Sequence, residues 1–327
     1  MHRPNLFKLQ IGLIVLAAIW RCSSACAEDR DPNLSLIRSA WNERHNSIKS
    51  FRFECALEQT KKVVHGRTDK FDRPIDRSSP VLDETFRKTM TYSFDKGKLS
   101  LQLEGEEWDS NKIAKSSYKL NAAFSGDGNV LLFGHNDIPL AYVDHRTVAD
   151  DQLAAFTSLL AFHLWYDPEH TLSRVGWENG KRATVQKSLR DDQVVVEFPR
   201  RYGRSIGRLV LDSARSYLPI RFELGSGGNI DSELQIEYST EAHMCTPKSW
   251  ERKDYYKPKD LSSRQFGAAL KCQVNAALKD EQFVVSFPTG THVSEDFGTK
   301  MQYFCKQPDG SLKPIAPEQF GKRDPGA

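Results

Sequence analysis

The serine best placed for nucleophilic chemistry is Ser205, which lies in the sequence GRSIG at 203–207. The spacing G-x-S-x-G matches a nucleophile elbow, which works only where a strand turns sharply into a helix. The residues that follow, RLVLD, predict a strand instead of a helix. We therefore interpret Ser205 as a turn serine and do not expect it to be a nucleophile.

The histidines and acidic residues also lack the spacing of a catalytic or metal site. The acidic run EGEEWD at 104–109 is typical of a charged strand end. Four histidines occur in one region of the chain, but their spacing does not match HExxH or another metal-ligand motif. They are His135, His145, His163 and His170. The sequence therefore predicts a protein that is not an enzyme and that has no metal and no cofactor.

The first 27 residues have the pattern of a secretory signal peptide. Arg3 and Lys8 precede the apolar run IGLIVLAAIW, and the small-residue triplet Ala25-Cys26-Ala27 follows it. The apolar run is shorter than the roughly 20 residues that span a bilayer, so it is not expected to be a membrane helix. Cleavage after Ala27 predicts a periplasmic or secreted protein. An alternative is cleavage before Cys26 and lipidation of that cysteine, although the preceding SSA lacks the usual large aliphatic residue.

Four cysteines remain after such cleavage, at positions 55, 245, 272 and 305. An oxidising compartment permits disulfides, and four cysteines allow three sets of pairings. We favour a bridge between Cys272 and Cys305, since both belong to the C-terminal strand region. There is no CxxC or Cys/His spacing that would indicate zinc.

The charge balance argues against nucleic-acid binding. The chain has 46 Lys and Arg against 43 Asp and Glu, and three of the basic residues belong to the signal peptide. The mature chain therefore carries equal numbers of both signs. Binding to nucleic acid requires a basic surface that neutralises phosphates, so no nucleic-acid partner is expected.

Two segments have the periodicity of helices. Asp31-Pro32 is a helix start, and apolar residues then recur at helical spacing over 31–49. The second segment, VADDQLAAFTSLLAFHLW at 148–165, is unusually apolar, which predicts a helix packed against an apolar surface.

The rest of the chain alternates with the period of two that is typical of strands covered on one side. Gly-containing turns such as SGDGN (125–129) and GSGGN (225–229) separate the strands. The sequence predicts a mainly β (α+β) fold. In this fold a curled antiparallel sheet or incomplete β-barrel carries the N-terminal helix and the mid-chain helix on its concave face. We expect one domain at 28–312, with a flexible loop at 61–84, strands at about 265–276 and 282–287, and a disordered tail at 313–327.

A curled sheet with only two helices on its hollow side can leave an apolar cavity. An acyl chain of about a dozen methylenes would gain on the order of 10 kcal/mol there before ordering costs, at roughly 0.8 kcal/mol per methylene. The alternating strand positions and the apolar helix positions are the candidate lining. They are Trp41, Phe53, Leu57, Met90, Tyr92, Phe94, Leu99, Leu101, Leu103, Phe156, Leu159 and Leu160.

Four stretches in order resemble the bacterial LolA-like lipoprotein-carrier family. They are SFRFECALEQT (50–60), AFSGDGNVLLFGHN (123–136), GRLVLDSARSYLPIRFEL (207–224) and FVVSFPTGTHVSED (283–296). The matched features include Gln59, the Ser-x-Asp-Gly turn, Asp212 with Leu218 and Pro219, and a strand that ends in Pro-x-Gly. This chain departs from the family pattern in its greater length, its inserted loop and its four cysteines.

The resemblance implies an open β-barrel with a helical lid and an apolar interior. It also implies a cavity arginine, for which Arg87 is the candidate by position. The predicted function is non-catalytic binding of a lipid or of the acyl chains of a lipoprotein. The alternatives are an envelope sensory or structural module that binds a partner protein, and a secreted hydrolase.

Overall fold

The computed structural model describes most of the chain from residue 32 to residue 322. The described ranges are 32–66, 78–95, 97–109, 112–125, 128–133, 139–144, 159–173, 175, 177, 182–187, 192–199, 205–226, 228–240, 245–257, 260–297 and 300–322. The predicted signal peptide, Cys26 and Phe156 lie outside them.

The described residues form one curled, unclosed sheet of 16 strands with three helices. The mainly β class, the curled sheet and the N-terminal and mid-chain helices confirm the predicted fold class, and the third helix was not predicted. The helices are α1 (Pro32–Ser47), α2 (Leu160–Tyr166) and α3 (Pro168–Ser173). The strands before α2 are β1 (Ser50–Val64), β2 (Val81–Asp95), β3 (Lys98–Asp109), β4 (Ala114–Ser125), β5 (Gly128–Phe133) and β6 (Leu140–Asp144). The strands that return to β1 are β7 (Thr184–Lys187), β8 (Gln193–Pro199), β9 (Ser205–Asp212), β10 (Leu218–Ser226), β11 (Asn229–Tyr238), β12 (Pro247–Lys257) and β13 (Asp260–Val274). The last strands are β14 (His292–Asp296), β15 (Met301–Lys306) and β16 (Leu312–Pro314).

The order of strands across the sheet explains how the chain builds two halves around β1. Strands β2 to β6 extend from one side of β1, and β13 back to β7 extend from the other side. The segment with α2 and α3 connects the two halves. Strands β14 to β16 then extend the first half, and β14 pairs with β6 in parallel, whereas the other recorded pairs are antiparallel. The outermost strands, β7 and β16, have four and three residues, and short edges offer little backbone for unwanted pairing.

Irregular pairing accounts for the curl of the sheet. The register shifts between Glu54 and Cys55 against β13, and again between Leu224 and Gly225 against β11. Gly105, with φ of +156°, is a third irregular point, where a Cβ would overlap the backbone carbonyl of Arg87. Such bulges bend a strand and increase its twist, which turns a long sheet towards a half-barrel.

Helix α1 packs through the apolar stripe that its sequence predicts. Leu34, Ile37 and Trp41, together with Ile48 directly after the helix, are all buried at 2% exposure or less. The end of the helix is tied to the chain beyond β13, because Asn275 Nδ2 donates to the Ser47 carbonyl (2.9 Å) and its Oδ1 accepts from the Lys49 amide (2.7 Å). This capping satisfies a helix-end carbonyl that has no partner within the helix. None of the helices in the described ranges combines the length and apolarity needed to span a bilayer.

Three local expectations differ from the structure. Residues 61–64 and 81–84, expected in a flexible loop, extend β1 and β2, because they pair with each other from Lys61↔Glu84 to Val64↔Val81. The strand expected at 282–287 is a 3-10 turn at Asp280–Phe283 followed by unpaired extended chain, while β14 begins at His292.

The described part of the tail also differs from the disordered segment expected after residue 312. It pairs as β16 and then forms a 3-10 turn at Pro317–Gln319. Phe320 packs on Tyr303 (5.2 Å between ring centroids) and on Tyr142 (6.0 Å). These aromatic contacts hold the segment against the sheet.

Candidate functional site

The inner face of the central strands carries a continuous apolar zone. Facing residues of an antiparallel pair point to the same side, so each row across the sheet can be read from the pairing. The three rows across β1 to β4 are Phe51–Phe94–Leu99–Phe124, Phe53–Tyr92–Leu101–Ala122 and Cys55–Met90–Leu103–Leu120. On the other side of β1, Leu57 faces Gly267, which faces Trp250. Along β1 this apolar zone runs from Phe51 to Leu57, roughly 20 Å at a rise of 3.3 Å per residue.

Helix α2 covers the apolar zone with aromatic rings. Phe162 packs on Phe53 (4.5 Å between centroids) and edge-on to Trp250 (4.8 Å). Trp165 meets Phe51 at 5.6 Å, also edge-on. Offset and edge-to-face contacts of this kind are the favoured aromatic geometries. The cover is therefore a seven-residue helix that places two aromatic rings, Phe162 and Trp165, on the sheet.

Most residues expected to line a cavity are packed in this core. Those between 0 and 9% exposed are Trp41, Phe53, Leu57, Met90, Tyr92, Phe94, Leu101, Leu103 and Leu159. Leu99 and Leu160 are partly buried against the same cluster. The strand residues among them share the inner face, whereas Trp41 lies on α1 and packs on Trp177 (5.9 Å). In this arrangement the helices occupy the space that a ligand would fill.

Two indole N–H groups in this core lack acceptors. The Nε1 atoms of Trp177 and Trp250 are buried and have no hydrogen-bond partner among the described residues. A buried donor that forms no hydrogen bond costs roughly 1–3 kcal/mol. The room for the Trp250 ring comes from Gly267, since a Cβ at that position would overlap the indole Cε2.

The other indoles and the inner tyrosine are satisfied. Trp41 Nε1 donates to the Tyr217 carbonyl (2.9 Å), and Trp165 Nε1 donates to the Cys245 carbonyl (2.7 Å). Tyr92 Oη lies 3.4 Å from His163 Nε2 on α2. Burial raises the pKa of the Tyr92 phenol, and the nearby Tyr166 raises it further, so Tyr92 is a neutral hydrogen-bonding group.

Beyond the apolar zone the inner face becomes a band of paired charges, which we call the polar band. Glu107 accepts hydrogen bonds from Lys61 and Lys88, and Lys88 faces Leu57 across the strand pair. Burial acts to raise the pKa of Glu107, but the hydrogen bonds and charges of the two lysines lower it below its usual value. Glu107 is therefore ionised at neutral pH.

The polar band continues on the other half of the sheet around Asp254. Its carboxylate accepts from Arg252 (2.9 Å), Ser232 (2.7 Å) and Ser263 (3.1 Å). These residues lie on β11, β12 and β13, so the band crosses several strands at the same level. The charged groups and hydroxyls of the polar band form hydrogen bonds with one another. The band therefore marks where the apolar zone ends.

The predictions of a Cys272–Cys305 disulfide and of Arg87 as the cavity arginine are both wrong. Cys272 and Cys305 are free, as are Cys55 and Cys245. Cys272 lies on β13 and Cys305 on β15, eight positions apart in the order of the sheet. The side chain of Arg87 is 82% exposed and pairs with Glu58 (3.4 Å), so it does not enter the apolar zone.

Ser205 is the first residue of β9 and not a turn residue, although the strand predicted to follow it is present. The strand-to-helix turn that a nucleophile elbow requires is therefore not formed there. Within the described ranges, no group of three His, Cys, Asp or Glu side chains lies close enough to hold a metal ion.

Sequence reasoning missed the aromatic residues that close the site. Phe162 and Trp165 lie in the apolar helix segment but were not singled out. Trp250 was not recognised as an inner-face residue, because the many charged residues of its strand, PKSWERKDYYK, obscure the apolar alternation. A useful signal was available at Gly267, since a glycine within a strand indicates close approach of another group.

No protein-family model matches the sequence, and no curated protein is significantly similar to it. The LolA-like resemblance therefore stays a prediction from the sequence motifs.

Proposed function

We propose that this chain is a non-catalytic binding protein that takes up an acyl chain, from a lipid or from a lipid-modified protein, on the inner face of its sheet. The observation that carries the proposal is the apolar zone covered by short helices, with two buried indole N–H groups that find no acceptor among the described residues. An ester or amide carbonyl at the head of an acyl chain is an acceptor of the kind these donors need.

Uptake in this proposal requires the helical cover to move. Helices of seven and six residues have little stability of their own, because helix nucleation is unfavourable and isolated helices shorter than about 12–15 residues are marginal in water. The backbone of α2 begins without a side-chain cap. When α2 moves away, the methylenes of the acyl chain would replace its aromatic rings on the inner face. Burial of each methylene contributes roughly 0.8 kcal/mol to binding.

Native mass spectrometry of protein purified without detergent tests the proposal. We expect a mass increment of one acyl ligand that is released by organic solvent. Leu99→Trp should reduce its occupancy, since Leu99 is a partly buried member of a row on the inner face. Ile206→Trp is the matched control, because Ile206 is 53% exposed.

The proposal fails if gently purified protein carries no acyl ligand and binds none when a fatty acid is added. Recovery of one stoichiometric protein partner without any lipid would instead favour the envelope sensory or structural module.

A further inference from the structure

A groove of about 390 Å³ lies at the end of the half-barrel where α1 and α2 end. Its walls come from the last turns of α1, from Trp165 on α2, from the 3-10 turn at Ser213–Arg215 and from Cys245. Trp165 is shared with the apolar zone, since its ring packs on Phe51. The groove therefore lies directly beside the helical cover.

Arg44 is a half-buried cation in this groove, and the described residues offer it no acidic partner. Its Nη1 donates to the Trp165 carbonyl (3.2 Å) and its Nη2 to the Ser216 carbonyl (2.6 Å). It makes no ion pair with any Asp or Glu of the described residues, and burial lowers the pKa of its guanidinium. Removing an unpaired charge from water is unfavourable, and the penalty grows with the extent of burial.

A second guanidinium, that of Arg215, lines the same groove. Asp212 Oδ2 accepts from Arg215 Nε (2.6 Å), and the guanidinium lies over the ring of Tyr238 at 5.9 Å. These contacts fix the cation and leave its terminal nitrogens outside the Asp212 hydrogen bond. Glu43 also lines the groove, but its residue is exposed to solvent.

We propose that Arg44, together with Arg215, binds a carboxylate or phosphate group in this groove. Guanidinium groups recognise both anions with two parallel hydrogen bonds. The two carbonyl contacts hold Arg44 in place before the anion arrives, which reduces the ordering cost of binding. If the proposed function holds as well, the anion is the head group of the acyl ligand whose chain lies under the helices.

The test compares three probes on the full mature chain by isothermal titration calorimetry: inorganic phosphate, dodecanoate and neutral 1-monolaurin. Dodecanoate and monolaurin share an acyl chain and differ in head-group charge. We expect dodecanoate to bind at least about tenfold more tightly than monolaurin. Phosphate alone should bind weakly and raise the melting temperature relative to chloride at equal ionic strength.

Arg44→Gln keeps amide donors for the two carbonyls and removes the charge. We expect it to abolish the preference for dodecanoate and the effect of phosphate. Arg87→Gln makes the same change at a side chain that is 82% exposed, and it should retain both. Arg215→Gln provides a second variant in case Arg44→Gln does not fold, and it should weaken dodecanoate binding by about threefold or more.

The outcomes separate this site from the proposed function. Equal affinity for dodecanoate and monolaurin, unchanged in the folded arginine variants, overturns the anion site and leaves acyl binding intact. Arg44-dependent binding of phosphate without binding of either acyl probe supports the anion site and overturns the proposed function. If neither phosphate nor dodecanoate binds, both proposals fail, and binding that persists in Arg44→Gln and Arg215→Gln shows an adventitious anion only.

Discussion

At the scale of single residues, the inner face is divided by the change from Leu57 to the polar band. Lys88 is opposite Leu57 and its side chain is only 10% exposed, so its charge is held by Glu107. Such a buried ion pair matters for stability mainly because removal of one partner would leave the other charge buried and uncompensated. Arg44 shows the opposite case, since it lacks such a partner in the described residues. The proposed anion site lies at Arg44 for this reason.

Lys88→Met should destabilise the fold, because Glu107 would then keep Lys61 alone as its partner. We expect the free energy of unfolding to fall by about 1–3 kcal/mol in urea denaturation at pH 7. Lys119→Met is the matched control, since Lys119 and Glu104 are both more than half exposed. Exposed pairs contribute about 0.2–1 kcal/mol. Equal losses in the two variants would contradict the assignment.

The same variant has a predicted dependence on pH. The pKa of Glu107 is lower in the folded state than its unfolded value of about 4.3. Its contribution to stability is therefore present above that value and is lost as pH falls through the lowered folded pKa. The stability difference between wild type and Lys88→Met should thus be largest above about pH 4.3 and should shrink on further acidification.

At the scale of elements, α1 is attached by its tryptophan. Trp41 combines burial, ring contact with Trp177 and a hydrogen bond to the Tyr217 carbonyl, which joins the helix to the region before β10. The stripe of α1 could be predicted from sequence because its helical period is regular. The bond to Tyr217, 176 residues away, could not be predicted, because it depends on how distant elements meet.

Trp41→Ala should detach α1 from the core. We expect a loss of about 3–5 kcal/mol in the free energy of unfolding, typical for removal of a large buried side chain. Leu36→Ala in the same helix should change stability by about 0.5 kcal/mol or less, since Leu36 is 58% exposed. Hydrogen exchange should show faster exchange in α1 for Trp41→Ala. Similar, small effects of both substitutions would contradict the role of Trp41.

The segment FVVSFP shows the limit of periodicity. Its alternation predicted a strand, yet residues 284–288 are extended without ladder pairing, and Val285 and Phe287 pack beside the small cluster of Leu132, Ala141 and Val293. A period of two places side chains on two faces but does not supply a neighbouring strand. The pairing partner is decided by topology, and here β14 takes the place beside β6.

At the scale of the whole molecule, the sheet closes its core with helices. The mainly β class, the curl and the two helical regions could all be predicted, because period-two runs, turn glycines and two helical stripes are local signals. The pairing of β1 with β13 and the parallel pairing of β14 with β6 join distant parts of the chain. The prediction of a Cys272–Cys305 bridge failed for the same reason. Both cysteines belong to the C-terminal part of the sequence, but their strands lie eight positions apart in the order of the sheet.

The central claim is that the inner face of the sheet, under the helical cover, accepts an acyl chain. The most direct measurement is photolabelling with a diazirine-bearing fatty acid, with the modified residues located by tandem mass spectrometry. The account predicts saturable labelling at inner-face residues such as Phe53, Met90 and Leu101, competed by unlabelled dodecanoate. Labelling confined to exposed outer residues such as Phe266 and Leu270, or labelling that does not saturate, would contradict it.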